Sequence, residues 1–419
     1  MLKLFNSFSD KKEDFEPFDK PDVKIFICGP TLYDYTHLGH ARIFLVYDLL
    51  CRYLKSQDFK TDVLVNMTDI NQSVFNKALD QQTDYYTLTR FYSNEFIKDL
   101  DLLNIRTITR LAHVSDYVSN IIKHISYLMK NKNAYSANGN IYFDTQTVKD
   151  YGKISKQSRQ QLKLHRLDIG PNKKNPEDFM LWNCSEDFGF SWNGEFGNGV
   201  PWWHIQDTTV AFENFGLHYD IHGGAKELAY PHHDAHLAQY KAMTGTENPV
   251  KRWMYIGLVL SEGEKMSKSL GNMVLARNLV DKYGQNLVRL YLFSTHYRDD
   301  VDYKEESLLS KKKFLEKIHH VKNKKSDKTS LDVSNLMKDF FKHLDDDLNS
   351  PKALEIFEKI CDFWALALRS SSLSGRSREF RDHAINFFEE EGQNVWGKDF
   401  DSAAAIKRFK NKAGIPETK

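Results

Sequence analysis

Two histidines flank a glycine in His37-Leu38-Gly39-His40, at the end of the stretch Ile27-Cys28-Gly29-Pro30-Thr31-Leu32-Tyr33-Asp34-Tyr35-Thr36. These residue types suit an anion. The β-branched run from Val23 to Ile27 predicts a strand, Gly29-Pro30 a turn, and the apolar spacing from Ala41 to about Gln57 a helix. Such a turn aims backbone N–H groups and the positive end of a helix dipole at whatever lies above it. The rings of His37 and His40 can donate N–H to phosphoryl oxygens, and Gly39 lets a flat ring approach the backbone. Taken alone, His-x-Gly-His is equally compatible with a buried pair capping a helix.

A second stretch, Lys265-Met266-Ser267-Lys268-Ser269-Leu270-Gly271-Asn272, offers two mobile ammonium charges to a polyphosphate, or is a solvated loop. Tyr219-Asp220-Ile221-His222-Gly223-Gly224 predicts a short strand. Its paired glycines let a ring such as adenine lie against the backbone, or mark a tight turn. In Pro231-His232-His233-Asp234-Ala235-His236, the proline predicts a helix start. His232 and His236 then fall one turn apart on one face, a spacing that can share a metal ion.

These groups need a scaffold. A second β-like run, Thr61 to Val65, ends in Asn66-Met67-Thr68-Asp69-Ile70 and completes a βαβ unit. That implies a parallel sheet binding ligands at the C-terminal ends of its strands, with Cys28 and Thr68 at that edge. Residues 74–130 read as helical, Tyr135 to Asp144 as a hairpin, and 153–192 as a loop-like insertion. The second half of the sheet begins near Pro201, and Tyr283 to Ser294 reads as a helix. From Glu305 the chain is mostly helical, with Lys322 to Lys328 a linker rather than an RNA-facing loop. Residues 1–20 read as an exposed leader with at most one short strand. The expected divisions are 1–95, the first half of a nucleotide-binding domain; 96–200, an insertion; 201–300, the second half with the lysine loop; and 301–419, a helical C-terminal domain.

The 419 residues, 41% hydrophobic and 27% charged, are enough for two or three domains with cores and exclude a disordered chain. A formal net charge of +1 leaves no global field toward nucleic acid, so RNA contacts must be local. No run reaches the roughly 18 apolar residues of a membrane span, and Met1 to Phe5 lacks a signal-peptide core behind it. A cytoplasmic protein without membrane contact is expected. Cys28, Cys51, Cys184 and Cys361 are widely spaced, so reduced thiols are expected.

The histidine stretch and the lysine stretch, in this order, resemble the HIGH and KMSKS signatures of class I aminoacyl-tRNA synthetases. From about residue 21 to about residue 350 the chain is similar to the cysteinyl-tRNA synthetase family. The matches are Cys28-Gly29-Pro30-Thr31, the His37 motif, Asp178-Phe179-Met180-Leu181-Trp182, Trp203-His204-Ile205, Asp220 to Gly224, Pro231-His232-His233, Lys265 to Asn272, and Asp345-Asp346-Asp347-Leu348-Asn349. The resemblance implies an α/β fold: a doubly wound, Rossmann-type parallel-sheet catalytic domain with an insertion, followed by a C-terminal helical bundle. It implies a monomer that uses ATP with Mg²⁺ to form an aminoacyl-adenylate, with cysteine favoured, and transfers the aminoacyl group to tRNA. His37, His40, Lys265 and Lys268 would act on the phosphates, Gly39, Gly223 and Gly224 would help bind ATP, and Thr68 and Trp203 would join Cys28 in the amino-acid pocket.

In that family two cysteines, a histidine and a glutamate hold a zinc ion that recognises the substrate thiolate. The matching positions here are Cys28, Asp207, His232 and His236. Two differ from the usual set, yet a carboxylate and an imidazole are both competent zinc ligands. Fewer negative donors leave the ion a stronger Lewis acid, and harder donors make the site more tolerant of oxygen or nitrogen side chains or of another metal. Asn71-Gln72 stands where the family usually carries acidic residues.

Beyond the break at Ser370 to Gly375, the last forty-odd residues do not match the family's anticodon-reading domain. One reading is a trimmed ligase whose last helices, with Lys407, Arg408, Lys410 and Lys412, supply tRNA contacts. The alternative is a tRNA-free ligase that passes the activated amino acid to a small-molecule amine, as the related mycothiol-pathway enzyme does. A third, a decayed paralogue serving as an RNA-binding or regulatory module, is disfavoured because both phosphate motifs are intact.

Overall fold

Apolar alternation at the N-terminus builds a hairpin. Strands β1 (Lys3–Asn6) and β2 (Lys11–Asp14) pair antiparallel, burying Leu2, Leu4 and Phe15 in the main core. Residues 1–20 are therefore no exposed leader: every second side chain of β1 faces inward, a period-2 signal that the charged β2 obscured. The computed structural model describes residues 1–164, 168, 173–184, 189–266, 270–323 and 333–369. Lys268, Lys324 to Lys328 and everything from Ser370 onward, including Lys407, Arg408, Lys410 and Lys412, lie outside the described residues.

Strand β3 (Asp22–Ile27) runs into the histidine turn and helix α1 (Leu38–Ser56), then β4 (Lys60–Met67). The expected long helical region divides into α2 (Gln72–Asp80), α3 (Tyr85–Leu102), β5 (Arg110–His113) and α4 (Val118–Lys130). Asn71 and Asp84 start α2 and α3 by accepting the N–H groups of Ser73 and Thr87. Strand β5, only four residues at the sheet edge, is too short to show a period of two.

The insertion carries β6 (Ala134–Ala137), β7 (Asn140–Phe143), α5 (Arg159–Leu164), β8 (Phe179–Asn183), β9 (Trp192–Gly194) and β10 (Gly197–Pro201). Its five strands form one antiparallel sheet in the order β6-β7-β8-β10-β9. The hairpin turn at Asn138-Gly139 has positive φ at both residues, as a two-residue turn matched to strand twist requires. The stretch read as loop-like thus contains a helix and a fully buried strand, Phe179–Asn183.

The chain returns to the main sheet through α6 (Trp203–Phe215), β11 (Tyr219–Ala225), α7 (His232–Thr244) and β12 (Val250–Ile256). Strands β13 (Val259–Ser261) and β14 (Glu264–Lys265), helices α8 (Ala276–Tyr283) and α9 (Gln285–Phe293), and β15 (Val301–Tyr303) follow, then helices α10 (Glu305–Leu309), α11 (Lys312–Asn323), α12 (Ser334–Asp345) and α13 (Ser350–Arg369). The central sheet, β12-β11-β3-β4-β5, is parallel throughout. Alternate strand residues face opposite layers. Ile25, Ile27, Val63 and Val65 pack with α1 and α9, whereas Phe26 and Leu64 pack with α6 and α7. This is the doubly wound architecture. The order of strands reverses between β3 and β11, and a crevice at their C-terminal ends follows from that reversal.

Two buried charges lock the layers. Arg42 of α1 donates to the backbone oxygens of Gly257 (2.9 Å), Asp299 (2.6 Å) and His296 (2.8 Å). Asp347 accepts from the Phe5 N–H (2.8 Å), the Tyr297 hydroxyl (2.5 Å) and Arg298 Nε (2.9 Å), tying β1 to the C-terminal helices. No helix among the described residues is long and apolar enough to cross a membrane.

Candidate active site

Cys28 is the first residue past β3, and its N–H donates to the Gly223 oxygen of β11, so it sits at the strand-order reversal. Around its sulfur, Asp207 Oδ2 lies at 3.2 Å, His233 Nε2 at 3.1 Å and His222 Nε2 at 3.5 Å. His232 Nε2 is 2.9 Å from the same Asp207 oxygen. A tetrahedral metal with bonds of about 2.0–2.3 Å has donor–donor edges of roughly 3.3–3.8 Å. The separations here, 2.9–3.5 Å, lie at or slightly below those edges, and Cys28, His232 and His233 form a group able to hold a cation.

His236 is not among them. Its Nε2 lies 2.8 Å from the Tyr219 hydroxyl and its Nδ1 3.3 Å from Thr208 Oγ1. The one-turn spacing put His232 and His236 on a common face, but here the consecutive residues His232 and His233 open α7 and both reach inward at its first turn. The group able to hold a cation is thus Cys28, His232 and His233, with Asp207 and His222 beside it.

The remaining ring nitrogens are held from behind. His232 Nδ1 lies 3.1 Å from His204 Nδ1, His233 Nδ1 2.8 Å from the Tyr255 hydroxyl, and His222 Nδ1 2.6 Å from the Tyr219 hydroxyl. Such outer partners fix ring orientation around a metal. Asn66 does the same for Asp207, donating to its Oδ1 at 2.8 Å and to Thr68 Oγ1 at 3.1 Å. Its own Oδ1 accepts the Gly29 N–H at 2.7 Å. A side chain at Gly29 would start 1.7 Å from the Asn66 backbone oxygen, so only glycine fits. Trp203, at the start of α6, lies parallel to the His232 ring, with centroids 4.2 Å apart and planes within 1°. Burial, then the Asp207 carboxylate, push the Cys28 thiol up; burial pushes His204, His222, His233 and His236 down. Burial thus favours the neutral ring at those four histidines, the form in which imidazole binds metal.

Gly223 and Gly224 stand within β11, not in a turn. The ring lying against Gly223 is Tyr47 of α1, whose hydroxyl would be 2.1 Å from an added Cβ. Gly224 faces the other side, with Cys28 Cβ 3.6 Å and His233 Cε1 3.3 Å from where its own Cβ would be. Adenine therefore does not account for Gly223; packing of α1 on the sheet does.

His37 caps α1. Its Nδ1 accepts the N–H groups of Gly39 (3.1 Å) and His40 (3.3 Å), so the neutral ring carries its proton on Nε2. Burial pulls its pKa down to about 4. The His40 ring stacks on it at 3.7 Å, and its Nδ1 is buried with no hydrogen-bond partner among the described residues. Both histidines are neutral donors rather than cations. A Cβ at Gly39 would meet the His37 ring, with Cε1 at 2.9 Å and Nδ1 at 3.0 Å, and then Met266 Cε at 3.7 Å.

The stretch after the lysine motif returns to this turn. The Leu38 N–H donates to the Val274 oxygen (2.8 Å), the Ala276 N–H to the Thr36 oxygen (3.0 Å), and His37 bridges Leu275. Lys265, on β14, is exposed and pairs with Glu227. Thr68 adjoins the same edge, its backbone paired with Pro30 and Leu32. Asn66, His222 and His233 were all visible in the sequence but carried no role there. Their only signal was polarity at strand ends and a helix start, where a core would be apolar.

The family of the tRNA synthetases class I (C) catalytic domain matches residues 14–313. The chain is 36% identical over 363 residues to a cysteine–tRNA ligase of Idiomarina loihiensis, covering 86% of this chain and 79% of that protein. It is 34% identical over 375 residues to one of Thermococcus onnurineus, covering 85% and 79%. It is also 32% identical over 411 residues to one of Carboxydothermus hydrogenoformans, covering 95% and 87%. Among solved structures, Mycobacterium tuberculosis methionyl-tRNA synthetase in complex with methionyl-adenylate shares the fold, with a TM-score of 0.63 and 14% identity over 94% of this chain and 88% of that one. The family match runs through the parallel sheet, the histidine turn and Lys265, and on that extent the chain belongs to the class I (C) family of tRNA synthetases.

Proposed function

We propose that this chain is a cysteine–tRNA ligase, acting in the cytoplasm, that activates cysteine with ATP and passes the cysteinyl group to tRNA. The observation that carries the proposal is the junction of the histidine turn with residues 274–276 at the sheet edge where the Cys28 pocket lies. A phosphate-binding edge beside a thiol-selective pocket is what joining cysteine to an adenylate requires. The relatives named above are tRNA ligases, which favours tRNA over a small-molecule amine as the acceptor.

In the first step a carboxylate oxygen of the amino acid attacks the α-phosphorus of ATP, the bond to the β-phosphate oxygen breaks, and pyrophosphate leaves. In the second the tRNA hydroxyl attacks the adenylate carbonyl and AMP leaves. The Nε2–H of His37 donates to phosphoryl oxygen as charge develops there, and His40 supports it from behind. Lys265 exchanges Glu227 for the departing pyrophosphate, and Lys268 of the same motif adds a second positive charge. Mg²⁺ accompanies the ATP. Cys28, Asp207, His232 and His233 would hold zinc, which when bound supplies the Lewis acid that favours a substrate thiolate over a hydroxyl. Trp203 closes one side of that pocket, and Asn66 keeps Asp207 pointed into it.

The test is charging of total tRNA with labelled cysteine and ATP, run beside cysteine-dependent ATP–pyrophosphate exchange. Both activities are expected. Exchange without charging would move the acceptor to a small-molecule amine, and the absence of both would overturn the proposal.

A further inference from the structure

We propose that Arg277 is a positioning residue for adenylate formation, holding the histidine turn at the working place of the His37 ring. The inference rests on the activity proposed above. Arg277 is the second residue of α8, and its side chain crosses to α3. Its Nε donates to Asp99 Oδ1 (2.8 Å), one terminal nitrogen to Glu95 Oε2 (2.6 Å), and the other to the Glu95 backbone oxygen (3.2 Å). The guanidinium lies 4.3 Å from the centroid of the Tyr35 ring. The other oxygen of Asp99 accepts the Thr36 N–H at 3.3 Å. One carboxylate therefore joins Arg277 to the residue before His37.

The backbone makes a second grip at the same place. Ala276, the neighbour of Arg277, donates to the Thr36 oxygen, and Leu38 donates to the Val274 oxygen. Tyr35 to Leu38 is thus held by backbone pairing to residues 274–276 and by the guanidinium fork. The His37 ring has little freedom of its own, because its Nδ1 is engaged by the N–H groups of Gly39 and His40. Wherever the turn sits, Nε2 sits. Asp99 and Glu95 are one turn apart on α3, two like charges that Arg277 bridges, with Lys98 also paired to Glu95; without the guanidinium Asp99 loses its cation and the anchor for Thr36 loosens. Arg277 itself reaches Tyr35 and α3 rather than the Cys28 pocket, so its removal leaves cysteine recognition alone.

A lysine keeps the charge but not the fork, which separates geometry from electrostatics. In ATP–pyrophosphate exchange, Arg277→Met is expected to lower kcat about 10- to 100-fold, the range for misplacing a reacting group by up to an ångström. The KM for cysteine and the bound metal should stay within about twofold of wild type. Arg277→Lys should recover part of kcat. Glu95→Gln, which breaks one arm and leaves the Asp99 link, should cost less than Arg277→Met and serves if that variant does not fold. In a double-mutant cycle, Arg277→Met with Asp99→Asn should lose no more than the worse single variant, because both act through one link. An unchanged kcat with a lowered melting temperature would show a structural role only, and a raised cysteine KM at constant kcat would place Arg277 in substrate binding; either overturns the proposal. A wild-type protein without exchange would instead refute the activity, so the two failures are distinguishable.

Discussion

The Cys28 pocket and the histidine turn lie on one sheet edge, yet they use histidine in opposite ways. In the pocket the imidazoles are fully buried, each ring nitrogen is met by a thiol, carboxylate, hydroxyl or second imidazole, and the donors converge. At the turn, Nδ1 of His37 is spent on capping α1, and Nε2 takes no part in that cap. On the function proposed above, the pocket suits a cation and the turn an anion. What separates them is the partner behind the ring: side chains that fix lone pairs inward in one case, backbone N–H groups that consume a lone pair in the other.

The strongest way to break that contrast is to empty the pocket. Cys28→Ala should reduce bound metal from about one per chain to near none and abolish cysteine-dependent exchange; elemental analysis that finds the variant still metal-loaded and active would refute the pocket's assignment. At the turn, His37→Asn should cut the exchange rate about 10²- to 10³-fold, the range for losing one transition-state donor. Asparagine caps helices as well as any residue, so the unfolding midpoint should scarcely move at neutral pH.

The same variant has a pH signature. The folded pKa of His37, about 4, lies below its ordinary 6.5. Between those values the unfolded chain binds a proton that the folded one does not, so this part of the stability is present above about pH 6.5 and is lost as pH falls toward 4. Urea-unfolding midpoints across that window should decline less steeply in His37→Asn than in wild type.

A smaller effect sharpens the assignment of donors inside the pocket. His233→Gln should lower zinc affinity more than roughly 100-fold, whereas His236→Gln, behind Tyr219, should cost nearer 10-fold, as outer partners do. The reverse order in a competition titration with a chelator would restore His236 as a ligand. Smallest of all, Lys265→Ala should change folding stability by less than about 1 kcal/mol, because its pair with Glu227 is exposed. Its effect should show instead as a lowered kcat with little change in the KM for ATP; a large loss of stability would mean that the strand, not the charge, is what Lys265 supports.

The turn was more legible in the sequence than the pocket. Its chemistry comes from neighbours in the chain, His37, Gly39 and His40, whose spacing already specifies a strand end and a helix start. The pocket gathers Cys28, Asn66, Asp207, His222, His232 and His233 from five separate segments. Helical periodicity chose His236 over His233, since period says which residues share a face but not which face a helix turns to its neighbour. Gly223 misled for a similar reason: the ring it makes room for belongs to Tyr47, far away in the chain. Strand β5 and the β1–β2 hairpin escaped because four-residue strands carry too few alternations to register.

Local order in this protein was written in the sequence: the βαβ unit, the hairpin at Asn138-Gly139, the cap on α1 and the family to which both phosphate motifs point. Those features depend on contacts a few residues apart or on strands with a strong apolar period. Tertiary structure alone decided which imidazoles face Cys28, and that Arg277 reaches the turn from across α3. Each of these depends on side chains that meet only once the sheet has closed, where burial and a specific partner set the outcome.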